Sequence, residues 1–330
     1  DMWLRDKTQP RPYIHFEELN KLWTETKPAF ASLSCRASQT RAIQNAATAY
    51  QQFFDELKLP RHKRIHALPH MHKKRGHQSC YFTNYKVHID GRYIYIPLIG
   101  WTLMTEPIRF DGKLMSYTLK REYGEDYLYM SFECEGERPH GSPIPGTAVA
   151  IDVGLTTPAI AVDNNGGLFR LEMPDTIVAL NKRIKAEQAI ASRRKKGSNR
   201  WKKQNQRIKK LMQRRENIRK DAVNKFTNDL TKSHEIVVTE QLNCAAMRKG
   251  ATKILRKGLA FSCMSELIAE CAYKAHKYVP IDRYFASSKM CSSCGHIDDS
   301  LTLKDRMYNC NFCGLSIDRD INAAINLLHA

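Results

Sequence analysis

Apolar residues recur at three- and four-residue steps through residues 16–58, where Ile43, Ala46, Tyr50, Phe53, Phe54 and Leu57 share one helical face. That spacing predicts helix, with Ser38 as an N-cap and Pro60 as the stop. From residue 81 the period shortens. Val87, Ile89, Tyr93, Ile94, Tyr95 and Ile96 flank Asp90-Gly91, a two-residue hairpin signal. Met115–Arg121 and Tyr127–Glu133 form a second such pair around Gly124. These residues predict a small antiparallel β-module, and Gly141-Ser-Pro-Ile-Pro-Gly146 reads as a linker after it.

The pattern changes again at Thr147. Ala148–Asp152 is an apolar strand ending in a carboxylate, and Ala159–Val162 and Leu168–Leu171 supply two more strands around an Asn164-Asn-Gly-Gly167 turn. Residues 176–231 predict one or two long helices. Ile236–Glu240 is a second apolar strand ending in a carboxylate. Residues 259–278 read as helix, with Phe261, Met264, Leu267, Ile268, Cys271 and Ala272 on one face, and a final helix runs from about Arg319 to Leu328.

Charge narrows the function. Among 330 residues, 53 Lys and Arg stand against 34 Asp and Glu, a net +19. A surplus of that size calls for a polyanionic partner, nucleic acid before membrane surface. No run of about 18 apolar residues is present, so the reading is a cytoplasmic chain with no membrane partner. The surplus is concentrated between Lys182 and Lys220, with 17 Lys and Arg and two acids. An apolar stripe (Ile208, Leu211, Ile218, Ala222, Phe226, Leu230) buries one side, so Arg193, Arg194, Lys195, Lys196, Arg200, Lys202, Lys203, Arg207 and Lys210 are the candidate phosphate contacts. The basic stretch 61–77 reads as a phosphate-contacting loop, since its histidines lack Cys or carboxylate partners at fixed spacing.

Ten cysteines divide into two classes. Cys35, Cys80, Cys134, Cys244, Cys263 and Cys271 are scattered and read as reduced packing residues. Cys291-Ser-Ser-Cys294-Gly and Cys310-Asn-Phe-Cys313-Gly are two knuckles separated by fifteen residues. Two thiols on each of two tight turns close a tetrahedral Zn²⁺ shell, which leaves no position for water and is therefore structural.

Three acids stand where chemistry is possible: Asp152 and Glu240 at strand ends, and Asp320 at the start of the last helix, with Asp318 as its competitor. In a sheet of the RNase H type such positions converge, and carboxylates that share hard divalent cations, Mg²⁺ or Mn²⁺, can drive two-metal phosphodiester hydrolysis.

Four segments carry a resemblance: Ala150-Ile-Asp152-Val-Gly154, Val238-Thr-Glu240-Gln-Leu-Asn243, Phe285-Ala-Ser-Ser288-Lys-Met-Cys291-Ser-Ser-Cys294-Gly, and Cys310 to Asn326. Together they resemble the TnpB family of transposon-encoded, RNA-guided nucleases, related to the type V CRISPR effectors. The resemblance implies a RuvC-like domain with an Asp, Glu, Asp triad at Asp152, Glu240 and Asp320. It favours Asp320 over Asp318 because Asp320 stands two residues before Asn-Ala-Ala. It also implies a guide RNA and a double-stranded DNA target that yields a single strand to the active site. The family's initial β-strand has no counterpart here, and the chain starts at Asp1, which reads as a truncated start.

The expected architecture is an N-terminal lobe over 1–145, helical at about 16–60 and β at about 80–137. An α/β, RNase H-like (RuvC) domain follows over 146–330, with a four-cysteine zinc ribbon inserted at about 286–317. The expected function is RNA-guided DNA endonuclease. The alternatives are a guided DNA-binding repressor without cleavage, which would be expected to lose a carboxylate, and a CRISPR-associated effector of the same fold.

Overall fold

The computed structural model describes residues 15–70, 78–84, 86–108, 111–122, 125–135, 143–155, 157–249, 251–252, 255–256, 258–259, 262–302 and 305–330. The chain forms two compact units, Asp1–Glu137 and Arg138–Ala330.

In the first unit the expected helical segment is two helices, α1 (Phe16–Thr26) and α2 (Arg36–Glu56). Pro28 lies between them and leads into a 3₁₀ turn at Ala29–Leu33. The N-cap of α2 is Cys35, not Ser38. Ser38 lies in the first turn, where its N–H donates to Cys35 Sγ and its hydroxyl bonds the carbonyl of Tyr81. Six strands follow: β1 (Gln78–Thr83), β2 (His88–Asp90), β3 (Tyr93–Ile96), β4 (Gly100–Leu103), β5 (Lys113–Glu122) and β6 (Glu125–Glu133). They form two antiparallel sheets, ordered β1-β5-β6 and β2-β3-β4. Gly91-Arg92 turns β2 into β3, one residue later than the expected Asp90-Gly91 because Asp90 still pairs with Tyr93, and Gly91 takes a φ of 54° that would strain an L-residue. Phe82, Ile94, Ile96, Met104 and Tyr117 make the core, with the Phe82 and Tyr117 rings stacked 4.8 Å apart. Gly124 and residues 71–77 of the basic loop lie outside the described residues.

The second unit is built on one five-stranded sheet. Its strands are β7 (Ile144–Val153), β8 (Ala159–Asp163), β9 (Leu168–Leu171), β10 (His234–Glu240) and β11 (Lys277–Ile281). They lie in the order β11-β10-β7-β8-β9. The first three form an antiparallel meander, whereas β10 joins β7, and β11 joins β10, in parallel. Helices α3 (Asp175–Ser192) and α4 (Asn199–Ser233) make the long crossover from β9 to β10. A short helix α5 (Cys244–Lys249) and α6 (Met264–Lys274) lie between β10 and β11, and α7 (Arg319–His329) ends the chain.

Two expectations need correction. Residues 144–146, read as linker, belong to β7, because Ile144 pairs with His234 and Glu235 Oε2 accepts the Gly146 N–H at 2.6 Å. The second unit thus starts before the boundary expected at 146. Within the helix expected over 259–278, α6 runs from Met264 to Lys274. Residues 277–278 open β11 instead, where Tyr278 pairs with Val237. Phe261 lies outside the described residues. Pro280 is tolerated in β11 because that is an edge strand.

Strand parity assigns the two faces of the sheet. Val149, Ile151, Val153, Ala159, Ala161 and Val237 pack with Val223 and Leu230 of α4 and Leu267 and Cys271 of α6. Ala150, Val238, Ile160 and Val162 pack instead against Ala324 and Leu327 of α7. Burial on both faces explains why β7 and β8 read as continuous apolar runs. Each fully buried Val, Ile or Leu side chain there contributes about 1.5–3 kcal/mol. Among the described residues no helix is long and apolar enough to cross a membrane.

Candidate active site and metal centre

The position of the acids follows from register. Thr239 pairs with Ile151, so the next residues along the parallel strands, Glu240 and Asp152, stand side by side. Parity puts Asp152 on the face of Ala150 and Glu240 on the face of Val238, which is the same face, the one that meets α7. Asp320 lies in the first turn of that helix. All three expected acids therefore lie at one end of one face of the sheet.

Their charges interact. Burial, followed by repulsion from Asp320 and then Glu240, pushes the Asp152 carboxyl up to about 7. The Arg319 guanidinium and the Val153 N–H oppose that rise without cancelling it. Burial also raises Glu240. Arg319 Nε stands 3.9 Å from Asp320 Oδ1. Carboxylate oxygens are the donor type that suits a hard divalent ion.

Asp318 has another task. Its carboxylate accepts the N–H groups of Asp320 and Ile321 at 2.9 and 3.2 Å, which makes it the N-cap of α7.

The four expected cysteines form a second centre. Among the described residues, the sulfur atoms of Cys291, Cys294, Cys310 and Cys313 all lie within 4.8 Å of one another. Cys291 and Cys313 are 3.6 Å apart, as are Cys294 and Cys310. A tetrahedral ion with metal–sulfur bonds of about 2.3 Å requires about 3.8 Å between sulfurs, so the set fits zinc. The knuckles are shaped by Gly295 and Gly314, with φ of 73° and 76°, whose N–H groups donate to the carbonyls of Cys291 and Cys310 at 2.9 Å. The N–H groups of Cys313 and Phe312 aim at Cys310 and lower its thiol from the usual range. Strands β12 (Met307–Asn309) and β13 (Ser316–Asp318) flank the second knuckle. Buried Tyr308 donates to the carbonyls of Lys289 and His296, tying the two knuckles together.

Of the other cysteines, Cys244, Cys263 and Cys271 are buried, Cys35 and Cys80 half-buried, and Cys134 exposed. Cys134 is therefore not a packing residue; it lies just past the end of β6.

The nine candidate phosphate contacts cluster at the turn between α3 and α4 and along the first turns of α4. Eight of them are exposed. Arg194 is half-buried, and its guanidinium donates to the carbonyl of Arg200 at 2.7 Å, closing the turn. The opposite side of α4 is buried through Gln204, Ile208, Val223, Thr227 and Leu230. Gln204 bonds Glu187 of α3 and fixes the two helices as a hairpin.

Three residues near the site escaped the sequence reading: Arg319, Asn322 and Asn326. Asn322 and Asn326 are four apart on a helix face that is otherwise Ala, Ile and Leu, and both are buried. A pair of amides at that spacing on an aliphatic face was the available signal.

Residues 131–251 match the OrfB_IS605 transposase family, and residues 264–327 match the Cas12f1-like TNB domain. Asp152 and Glu240 fall in the first match, and the four cysteines and Asp320 in the second. The chain is 25% identical to InsQ of Escherichia coli (strain K12), named as an RNA-guided DNA endonuclease, with 96% of this chain and 81% of that protein aligned. A Streptomyces pristinaespiralis protein, also named as an RNA-guided DNA endonuclease, is 27% identical over 93% of this chain and 75% of its own. The TnpB-like protein L79 of Acanthamoeba polyphaga mimivirus is 29% identical over 45% of this chain and 28% of that protein. A cryo-EM structure of a Cas12f1-sgRNA-target DNA complex aligns at a TM-score of 0.42 and 15% identity, covering 99% of this chain and 88% of that one.

Proposed function

We propose that the chain is a member of the TnpB family, which the two family matches and the aligned relatives support, and an RNA-guided DNA endonuclease whose active site is Asp152, Glu240 and Asp320. The observation that carries this reading is the convergence of those three acids where β7, β10 and the start of α7 meet. The sheet order supports an RNase H-like domain of the RuvC type, with the cysteine ribbon inserted before its last helix.

The three carboxylates would hold Mg²⁺ or Mn²⁺, and the cysteines a structural Zn²⁺. When bound, a pair of hard divalent ions supplies an activated water and charge stabilisation for the departing oxygen of a phosphodiester. The protein's part is to hold the three acids on rigid elements. Arg319 offsets part of their mutual repulsion. The basic hairpin of α3 and α4 would lie along nucleic-acid phosphates, adding affinity and salt sensitivity without reading sequence. Sequence selection then falls to base pairing between a guide RNA and one DNA strand, which leaves a single strand for the acids. The first unit, with its two helices and β-module, would bind the guide and read duplex DNA.

The test is plasmid cleavage in Mg²⁺ by protein purified with its cellular RNA. Cutting that requires a matching target and disappears on RNase treatment supports the proposal. Target binding that depends on the RNA, with no cutting at any Mg²⁺ concentration, would make the protein a guided repressor.

A further inference from the structure

Helix α7 is anchored to the cysteine ribbon on both sides of Asp320. C-terminal to it, Asn322 Nδ2 donates to the carbonyl of Met290 at 2.6 Å, and Ser292 N–H donates to Asn322 Oδ1 at 2.9 Å. One turn later, Asn326 Nδ2 donates to the carbonyls of Ser287 and Met290 at 2.8 and 2.6 Å. Both side chains are sealed from solvent, at 0% and 2% exposure. Met290 and Ser292 flank Cys291, so these amides grip the first knuckle. N-terminal to Asp320, Arg319 donates through its backbone N–H to the carbonyl of Arg306 and through Nη1 to that of Thr302, both at 2.9 Å. Arg306 and Thr302 belong to the segment between the two knuckles.

Helix packing alone would not require this. Ala324 and Leu327 already bind α7 to the sheet through apolar packing, which is non-directional and tolerates small slides of the helix. The amide bonds are directional and buried, and they fix rotation and axial position together.

We infer that the ribbon is the positioning support of the third carboxylate, with Asn322 and Asn326 as the residues that transmit ribbon position to Asp320. The inference rests on the triad proposed above. It assigns the zinc centre a role in divalent-cation affinity at the acids in addition to holding its own fold. Buried hydrogen-bond partners that orient metal ligands typically govern about 10- to 100-fold in metal affinity.

The experiment compares the full-length protein with Asn322→Ala and Asn326→Ala, and with Asn322→Ser as the milder change should an alanine variant not fold. Three quantities are read: Mn²⁺ affinity by electron paramagnetic resonance, zinc content, and the Mg²⁺ concentration for half-maximal guided cleavage. The expected result is a Mn²⁺ affinity weakened about tenfold or more. The Mg²⁺ requirement should rise in step, while zinc stays at one ion per chain and cleavage at saturating Mg²⁺ is largely restored. Folded variants with native Mn²⁺ affinity, or with cleavage reduced equally at every Mg²⁺ concentration, would overturn the inference. Native protein that binds Mn²⁺ but does not cut guided targets defeats the functional proposal alone, since the Mn²⁺ comparison still decides this one. Native protein that binds no Mn²⁺ defeats both.

Discussion

A carboxyl that titrates near pH 7 links Asp152 to folding in the metal-free protein. In the unfolded chain the group ionises near 3.9, so between about pH 4 and 7 the folded state holds a proton that the unfolded state has lost. Folding stability therefore falls as pH rises through that window and levels off above it. Asp152→Asn removes the burden. In buffer free of Mg²⁺ and Mn²⁺ but without chelator, it should raise the melting temperature at pH 8 by the equivalent of a few kcal/mol, and the gain should vanish near pH 4. A gain that is the same at both pH values would contradict the electrostatic account. Asp318 and Asp320 separate by the same kind of reasoning. Asp318→Ala loses a cap and should cost about 1 kcal/mol in thermal unfolding. Asp320→Ala should abolish cleavage and, because it removes a repulsive charge, leave metal-free stability equal or higher. At this scale the acids were legible as strand and helix ends, and resemblance preferred Asp320. The capping bonds that occupy Asp318 needed coordinates, because both residues are equally plausible caps by type. Arg319 was illegible for a similar reason: its proximity to Asp152 arises through the fold.

Among the elements, the cysteine ribbon makes the sharpest prediction. Four thiols in two pairs whose sulfurs are 3.6 Å apart repel as thiolates unless a cation lies among them. Cys310→Ser should therefore reduce bound zinc, read by atomic emission, and lower the melting temperature, and excess zinc should not restore it. Full zinc retention in that variant would contradict the four-sulfur site. The knuckles were legible because Cys-x-x-Cys-Gly encodes a local turn, closed by Gly295 and Gly314 at positive φ. Strand β11 was not legible. Its five residues include Pro280 and closely follow α6, and pairing with β10 overrides the local pattern. The division of residues 16–58 into two helices is signalled only by Pro28, since the residues on both sides of it favour helix.

For the molecule as a whole, charge is the governing quantity. The basic hairpin puts eight exposed Lys and Arg of the nine candidates at the turn between α3 and α4 and along the first turns of α4, and the chain carries +19. Reversing Lys195, Lys196, Lys202 and Lys203 to Glu should weaken target-complex affinity. It should also flatten the slope of log affinity against log salt by about 0.7–0.9 for each phosphate no longer engaged. An unchanged slope would remove the hairpin from the nucleic-acid path. The hairpin was legible as a charge run beside an apolar stripe; what the run lies against depends on partners rather than on this chain. The proposed guided nuclease cuts through three carboxylates, Asp152, Glu240 and Asp320. The most direct measurement is guided plasmid cleavage in Mg²⁺ by the unmodified protein beside Asp152→Ala, with target binding followed in the same samples. The expected result is equal binding by both proteins and cleavage by the unmodified protein alone. Cleavage that survives in Asp152→Ala would place the chemistry elsewhere in the chain.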